Sequence, residues 1–412
     1  MKQANGLPKI IWVAAKPPIP PFSGSTSKSL CGITALSALS HVDVVSFVEH
    51  ERLEESARAF DIYWQGRVNA TRWIAYGPRA SLLRAAMTGR FQFGSQLEPG
   101  ALREALDKLA WDEPDRLVLF DDITLAPFVE RYGPNAILSP HDCISKMFWS
   151  HFRLSPPGLG AARYLFQSLV ARRYERTYYH RALLTHVITQ RDRVWLESIN
   201  PQARYEVIPN ADLLNPGFSS SVPNTWDVIV WGDLRIGSIA QGARAFLGAA
   251  ARDGAWLEGI SILVVGRAPV QEAQRILGPE LLSRVVYAPQ LEDEHGALHH
   301  AKITVIPDSG GAGTKNRCVN ILASGKCLAC LYPQMEGVEK ICDRGAINAS
   351  SLPELSVRVK KALIEETWPA YARAAQKIFA REYGESDNRQ LWKEMIERAV
   401  AVRSLRPYQP AN

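Results

Sequence analysis

The chain has 412 residues, of which 46% are apolar, and a formal net charge of +6 at pH 7. This length exceeds what one ordinary hydrophobic core holds and predicts two domains of roughly 200 residues each. The sequence has no apolar run near the ~20 residues that a membrane-spanning helix needs. The modest positive charge fits an anionic ligand or an anionic membrane surface without indicating nucleic acid.

The amino terminus and the cysteines bear on the cellular compartment. Residues 9–14 form a short apolar run typical of a strand, whereas a signal peptide needs a longer apolar region and a cleavage site. The six cysteines are spread without a framework pattern, so we expect reduced thiols and a cytoplasmic protein. Cys327 and Cys330 have the spacing of a redox or zinc motif, but the pattern favours small apolar residues of a buried strand.

Apolar runs alternate with helical patterns along the first half of the chain. Strands are predicted at residues 9–14, 42–48, 72–76, 116–122 and 135–142. Helices are predicted at residues 30–39, around 82–83 and at 102–109, with Gly24 and Ser25 just ahead of the first. Such alternation predicts a parallel sheet with helices on both faces and ligands at the carboxyl ends of the strands.

Residues 160–180 form a helical pattern rich in arginine and aromatic residues. One interpretation is a surface that faces an anionic membrane, where a lipid-linked acceptor is met. The other is an amphipathic helix with a solvated basic face, which the pattern alone favours.

The second half repeats the architecture of the first. Segments at 183–190 and 204–210 end the first half, and the polar, proline-containing residues 215–224 have the composition of a linker. Strands are then predicted at 226–232, 260–267, 285–288, 303–306, 327–330 and 345–348, with helical patterns at 239–251, up to 277, near 297–300, at 352–366 and at 369–402. We therefore expect two Rossmann-like domains that face each other across a ligand-binding cleft.

A glycine cluster follows the strand at 303–306 and opens onto a helix that ends at Gly325. Glycines at a strand end let backbone N–H groups approach an anion, and the dipole of the following helix favours negative charge. Lys315 and Arg317 place cations in the first turn, where they oppose the dipole unless an anion offsets them. The stretch predicts a phosphate site, although it is neither a Walker A loop nor a dinucleotide fingerprint. An amphipathic helix with a solvated polar face is the alternative.

Several stretches resemble, in order, motifs of the glycosyltransferase family 4 sugar transferases, which have the GT-B fold. Residues 17–25 are similar to the family's "PPxPPxxGG" loop, residues 138–145 to its "hD…S" segment and residues 205–210 to its "xVIPNG" turn. Four further matches, to "vGsL", "lvGr", "GxGTrlKvLEAmAxG" and "xEGl", lie at residues 231–234, 263–267, 311–325 and 335–338.

The resemblance implies an α/β protein of GT-B architecture whose C-terminal helices pack back toward the first domain. The first domain is then residues 1–210, joined by the last helix at about 388–412, and the nucleotide-sugar-binding domain is residues 211–387. It implies a glycosyltransferase that moves a sugar from a nucleotide-sugar to a saccharide, lipid-linked or small-molecule acceptor, with retention. We expect no metal or other cofactor, no nucleic acid, and peripheral contact with the cytoplasmic face of the inner membrane.

Site residues follow from the same resemblance. Lys315 and Arg317 neutralise the leaving diphosphate, and His141, at a strand end, lies near the reacting sugar. The implied donor-binding set is Gly24, Ser25, Gly232, Arg267, Gly311, Ala312, Gly313, Thr314, Asn320 and Glu336.

Two positions depart from the family pattern. Ala312 and Asn320 stand where the family has glutamates, which leaves only backbone groups at Ala312 and an uncharged amide at Asn320. Arg235 is a weak substitute for the cations at the entry of the second domain. These departures motivate the alternative of a GT-B-fold nucleotide-sugar binder that has no turnover, or that acts differently, as an epimerase does.

Overall fold

A computed structural model describes residues 6–19, 24–76, 97, 99–211, 225–257, 259–289, 298, 300–310 and 314–405. The chain divides into two compact units, residues 1–210 with 385–412, and residues 211–384. The helix predicted around residues 82–83 and the linker predicted at 215–224 lie outside the described residues.

The first unit is built on a parallel sheet of seven strands in the order β3-β2-β1-β4-β5-β6-β7. The strands are β1 (Lys9–Ala14), β2 (Val42–Glu49), β3 (Ala70–Tyr76), β4 (Arg116–Asp121), β5 (Ala136–Ser139), β6 (Leu184–Val187) and β7 (Tyr205–Val207). The central strands β1 and β4 are almost fully buried, since helices cover both faces of such a sheet. This burial explains their continuous apolar sequences.

The helices described in the first unit are short to medium in length. They are α1 (Gly24–Ser37), α2 (Leu53–Trp64), α3 (Pro99–Asp107), α4 (Ala126–Tyr132), α5 (Ile144–Leu154), α6 (Leu159–Tyr178) and α7 (Gln190–Ile199). Gly24 and Ser25 were expected ahead of the first helix, and the structure corrects this because they are its first two residues.

The second unit is built on a parallel sheet of six strands in the order β10-β9-β8-β11-β12-β13. The strands are β8 (Trp226–Trp231), β9 (Ile262–Val265), β10 (Val286–Ala288), β11 (Ala301–Ile306), β12 (Cys327–Leu331) and β13 (Ala346–Ala349). Its described helices are α8 (Gly237–Arg252), α9 (Gly254–Leu257), α10 (Val270–Leu277), α11 (Pro279–Leu282), α12 (Asn316–Ala323), α13 (Cys342–Gly345), α14 (Leu352–Ile364) and α15 (Trp368–Glu382).

The helical pattern predicted at 369–402 is two helices, because α15 ends at Glu382 and α16 (Glu385–Ser404) begins a new one. The buried ring of Tyr383 stacks on Phe379, and Gly384 follows it. The division between the two units falls directly after Gly384. α16 packs in the first unit through Trp392, whose ring lies 5.8 Å from that of Trp12. The expectation that the chain end returns to the first domain is confirmed for α16.

The structure bears on the cysteine pair, on metal binding and on membrane insertion. Cys327 and Cys330 are both buried, and they pack into different cores on opposite faces of β12, so they do not form one ligand pair. In the described ranges there is no group of His, Cys, Asp and Glu side chains that could hold a metal ion. Within the same ranges no helix has the length and apolar character to cross a membrane.

Candidate functional site

The residues predicted to form a site lie at the carboxyl ends of the strands in each unit, as ligand sites of parallel sheets do. In the first unit, His141 follows β5. In the second unit, Gly232 follows β8, Arg267 follows β9, and Glu336 follows β12. The loop after β11 leads through Asp308 to Thr314, and the predicted residues Gly311, Ala312 and Gly313 lie outside the described residues.

His141 is held by two carboxylates at the end of β4. Its Nε2 lies 3.3 Å from Oδ2 of Asp122 and 4.0 Å from Oδ1 of Asp121, and its side chain is 15% exposed. Burial lowers the pKa of His141 from 6.5 to about 4, and the nearby Asp121 only partly opposes this. The imidazole is therefore neutral at physiological pH.

The position of Asp122 favours one tautomer of His141. An ionised carboxylate offers only acceptor oxygens, and Oδ2 of Asp122 lies 3.3 Å from Nε2, so we assign the ring proton to Nε2. Nδ1 is then an acceptor, and it is buried without a hydrogen-bond partner among the described residues. His141 can thus accept a hydrogen bond from a hydroxyl group.

Asp122 has a backbone conformation that non-glycine residues rarely adopt, with φ 142° and ψ 148°. Its Oδ1 accepts a hydrogen bond from the Thr124 backbone N–H at 2.8 Å, and its Oδ2 faces His141. Such strain persists where the surroundings over-determine it, often at functional sites. The motifs in the sequence did not place Asp122 beside His141.

A buried cluster of charged and polar groups lies behind His141. Lys28 on α1 donates hydrogen bonds from Nζ to the carbonyls of Ser139 and Pro140, and Nζ lies 3.7 Å from Oδ1 of Asp121. Oδ2 of Asp121 accepts hydrogen bonds from Trp12 Nε1 at 3.1 Å and from the hydroxyl of Ser29. The cluster joins α1, β1, β4 and the end of β5. Sequence reasoning missed Lys28, whose only signal is a lysine within a largely apolar helix.

Arg317 on α12 is bound within the second unit. Its Nη2 donates to both carboxylate oxygens of Asp308, at 2.8 and 3.1 Å, and its Nη1 donates to the Trp231 carbonyl at 2.7 Å. A Cβ at Gly232 would lie 2.5 Å from both Nη1 of Arg317 and Cγ2 of Ile239, so these two close approaches explain the glycine. Arg317 therefore ties the end of β8 to the end of β11, and Asp308 balances its charge.

The other predicted site residues on the polar side of the second unit, three cations and Asn320, differ in their surroundings. Lys315 is the N-cap residue of α12, which begins at Asn316, so it precedes the first turn in which it was expected. Arg267 is exposed. Arg235 donates two side-chain hydrogen bonds to Asp233, whose negative charge balances that of Arg235. Asn320 is half-buried on α12.

Thr314 and Gly337 bring the loops after β11 and β12 into contact. Gly337 has φ +88°, and a Cβ added there would lie 1.9 Å from Oγ1 of Thr314. Oγ1 is buried and has no hydrogen-bond partner among the described residues, and the adjacent Glu336 is also buried. A buried hydroxyl without a partner calls for an explanation, and a ligand oxygen is one.

The Gly337→Ala variant is expected to destabilise the second unit by about 2–4 kcal/mol, since it combines a strained φ with a clash against Thr314. Chemical denaturation measures this change. Gly278→Ala is the matched control, because Gly278 has φ +87° and open space around the position of its Cβ. Equal losses in the two variants would contradict the contact with Thr314.

A cavity of about 470 Å³ lies elsewhere in the second unit. It is bounded by the edge strand β13 and by parts of α14 and α15, with Tyr332, Asn348, Arg358 and Tyr371 in its walls. The sequence-predicted site residues do not line it.

No protein-family model matches the sequence, and no curated protein is significantly similar to it. Solved structures do match over most of the chain. HepE of Anabaena in complex with UDP is 14% identical, with a TM-score of 0.63, over 94% of this chain and 99% of that one.

Two further solved structures are similar to the same extent. TarM of S. aureus, as a point mutant in complex with fondaparinux, α-GlcNAc-glycerol and UDP, is 10% identical, with a TM-score of 0.67, over 95% and 100% of the two chains. WaaG, a glycosyltransferase involved in lipopolysaccharide biosynthesis, is 12% identical, with a TM-score of 0.61, over 94% and 98%. Together with the two parallel sheets, these matches show that the chain has the GT-B fold.

Proposed function

We propose that the protein is a glycosyltransferase that moves a sugar from a nucleotide-sugar donor to a saccharide, lipid-linked or small-molecule acceptor. The observation that carries the proposal is the pair of loops at the carboxyl ends of β11 and β12, where Gly337 lies against the Thr314 hydroxyl, which has no hydrogen-bond partner in the part of the chain that the structure describes. HepE and TarM, which have the same fold, are described in complex with UDP. The proposal extends that ligand class to this chain.

The second unit binds the donor in this proposal. Backbone groups at the start of α12 and the hydroxyl of Thr314 contact the diphosphate, and Lys315 at the N-cap supplies the positive charge. Negative charge builds on the nucleoside diphosphate as the glycosidic bond breaks, and a preorganised cation stabilises it without a metal. Arg317 acts indirectly, because it fixes the ends of β8 and β11 around this position.

The first unit contributes His141. Its neutral ring presents Nδ1 as a hydrogen-bond acceptor, which suits a sugar hydroxyl, and Asp122 holds the ring in that tautomer. Transfer with retention of configuration is part of the proposal.

The alternative is a nucleotide-sugar binder without turnover. It is favoured by Asn320, which offers an amide where the family has a carboxylate, and by Asp308, which already balances the charge of Arg317.

Calorimetry with a panel of nucleoside diphosphates and their sugars, followed by transfer assays, tests the proposal. We expect one diphosphate to bind, its sugar conjugate to be consumed, and transfer to persist in the presence of a chelator. Binding without transfer or hydrolysis would favour the alternative, and the absence of any binding would refute both.

We also propose that α5 and α6 contact an anionic membrane surface. Leu159 and Phe166 are 92% and 67% exposed, and Leu154, Leu169 and Val170 are exposed as well. Exposed arginines lie among them: Arg153, Arg163, Arg172, Arg173 and Arg176. The only carboxylate between residues 144 and 178 is Glu175, which is fully buried. An apolar and basic surface of this kind binds anionic headgroups.

Reversing three of these charges, with Arg172→Glu, Arg173→Glu and Arg176→Glu, is expected to abolish binding to vesicles that contain anionic lipid, since each basic residue near the surface contributes about 1 kcal/mol. Vesicle co-sedimentation measures the binding. The control reverses Arg373, Lys377 and Arg381, which are exposed on α15, and thus changes the net charge equally. If the control loses binding to the same degree, the attraction depends on net charge and not on this surface.

A further inference from the structure

Lys28 is a buried charged side chain that no motif singled out. It is 1% exposed, and Nζ donates hydrogen bonds to the main-chain carbonyls of Ser139 at 2.7 Å and Pro140 at 2.6 Å. These two residues immediately precede His141. One ammonium group therefore holds the backbone turn that carries the histidine.

Asp121 connects Lys28 to His141 by a second route. Its Oδ1 lies 3.7 Å from Nζ of Lys28, and Trp12 and Ser29 donate hydrogen bonds to its Oδ2. Oδ1 of Asp121 also lies 4.0 Å from Nε2 of His141, and the next residue, Asp122, places Oδ2 3.3 Å from the same nitrogen. The ion pair thus acts on both the backbone at His141 and the carboxylates beside its imidazole.

Stability alone does not explain this ion pair. The desolvation free energy of a buried ammonium and carboxylate offsets much of their mutual attraction. Apolar residues therefore often replace such pairs without loss of stability. Burial lowers the pKa of Lys28 from 10.5 to about 8 although Asp121 opposes the change, which reflects this cost. A costly buried charge that donates two hydrogen bonds to the turn before His141 indicates a role in placing that residue.

We propose that Lys28 is a positioning residue for His141 and that Asp121 is its charge partner. Lys28 fixes the turn at residues 139–141. The turn holds the imidazole so that Nε2 lies beside the Asp122 carboxylate and Nδ1 is available to accept a hydrogen bond. The consequence for catalysis rests on the proposed transferase function, whereas the consequence for the geometry of His141 does not.

The test removes both charges together. Lys28→Met with Asp121→Asn keeps side-chain volume close to that of the native pair and leaves no buried carboxylate unpaired. Lys28→Gln is measured alongside as a second variant that stays polar but loses charge and reach. The matched control is Lys326→Met, because Lys326 is also a buried lysine, 6% exposed, and it precedes β12, which belongs to the second unit and not to the unit that holds His141. Thermal unfolding establishes that each variant folds.

The first measurement is NMR of ring-labelled histidine, with His141 assigned from its loss in His141→Gln. We expect one sharp set of His141 ring signals in the native protein and in Lys326→Met. In the Lys28 variants the signals broaden or split, and the Nε2 proton exchanges with water at least about tenfold faster, because the turn populates more than one conformation.

The second measurement separates kcat from KM. We expect kcat to fall about tenfold or more in the Lys28 variants, since small displacements of a reacting group are costly. We expect the donor KM and the affinity for the nucleoside diphosphate to change less than about twofold, because His141 contacts the sugar in this proposal.

Folded Lys28 variants whose His141 signals and kcat both match those of the native protein would overturn the proposal. If the native protein transfers no sugar to any acceptor, the proposed function fails, and the NMR measurement decides the positioning role alone.

Discussion

The His141→Gln variant is expected to lose roughly 100-fold or more in sugar transfer while it keeps its fold and its affinity for the nucleoside diphosphate. The glutamine amide reaches the position of Nε2 and can still donate to Asp122, but it places no acceptor at the position of Nδ1. His141→Asn is the complementary variant, because its shorter side chain places an amide oxygen near Nδ1 and gives up the contact with Asp122. Steady-state kinetics and calorimetry on both variants measure the effect.

The two variants separate the two nitrogens of the ring. If Nδ1 accepts a hydrogen bond from the substrate, His141→Asn retains more activity than His141→Gln. The reverse order would show that the contact with Asp122 matters more than the acceptor, and equal activity to the native protein in both would remove His141 from the site.

The pH dependence of His141 has a definite sign. Burial depresses its pKa from 6.5 to about 4 in the folded protein, so its contribution to stability is present above pH 6.5 and is lost as the pH falls toward 4. Between these limits the native protein should lose up to about 3 kcal/mol relative to His141→Gln. As the pH is lowered, kcat/KM should stay constant to about pH 5 with respect to His141. Below about pH 5 it should decrease, because the ring becomes protonated. Denaturation and rate profiles across this range measure both effects.

The fold could be predicted because its parallel strands are buried on both faces. Such strands are continuous apolar runs, and β1 was predicted with the bounds that the structure has. The boundary between α15 and α16 was missed because both helices have suitable periodicity, although Gly384, just past the end of α15, is a stop signal that the sequence offers. α5 was missed although Pro156, Pro157 and Gly158, which follow its end, are a stop signal that separates it from α6.

The site was only partly predictable, for a reason of topology. A glycine cluster before a helix is a local signal, and the prediction of a phosphate site after β11 was derived from it. The pairing of His141 with Asp122 is not local, because it depends on β5 lying beside β4 in the sheet. Asp308 and Arg317 are nine residues apart, and nothing in their spacing reveals that they bind each other rather than a ligand.

Lys315→Ala is expected to lose diphosphate affinity and Arg317→Ala to lose stability, although the sequence assigned both residues to the diphosphate. Lys315→Ala should weaken binding of the nucleoside diphosphate by more than about 1 kcal/mol, the scale of a charge-assisted hydrogen bond. Arg317→Ala should lower the free energy of unfolding of the second unit by about 2–3 kcal/mol, because it leaves Asp308 buried without a counter-charge. This estimate is below that for a fully buried pair, since the Arg317 side chain is 23% exposed.

A double-mutant cycle between Asp308 and Arg317 distinguishes these roles. If Arg317 serves to hold Asp308, the combined variant Asp308→Asn with Arg317→Met is more stable than Arg317→Met alone, because no buried charge is left unpaired. Arg317→Lys should not restore stability, since one ammonium cannot reproduce the guanidinium's contacts with the Asp308 carboxylate and the Trp231 carbonyl. Calorimetry on the combined variant then gives the share of diphosphate affinity that depends on the Arg317 charge itself. If that affinity falls as far as in Lys315→Ala while the fold is intact, Arg317 binds the diphosphate directly.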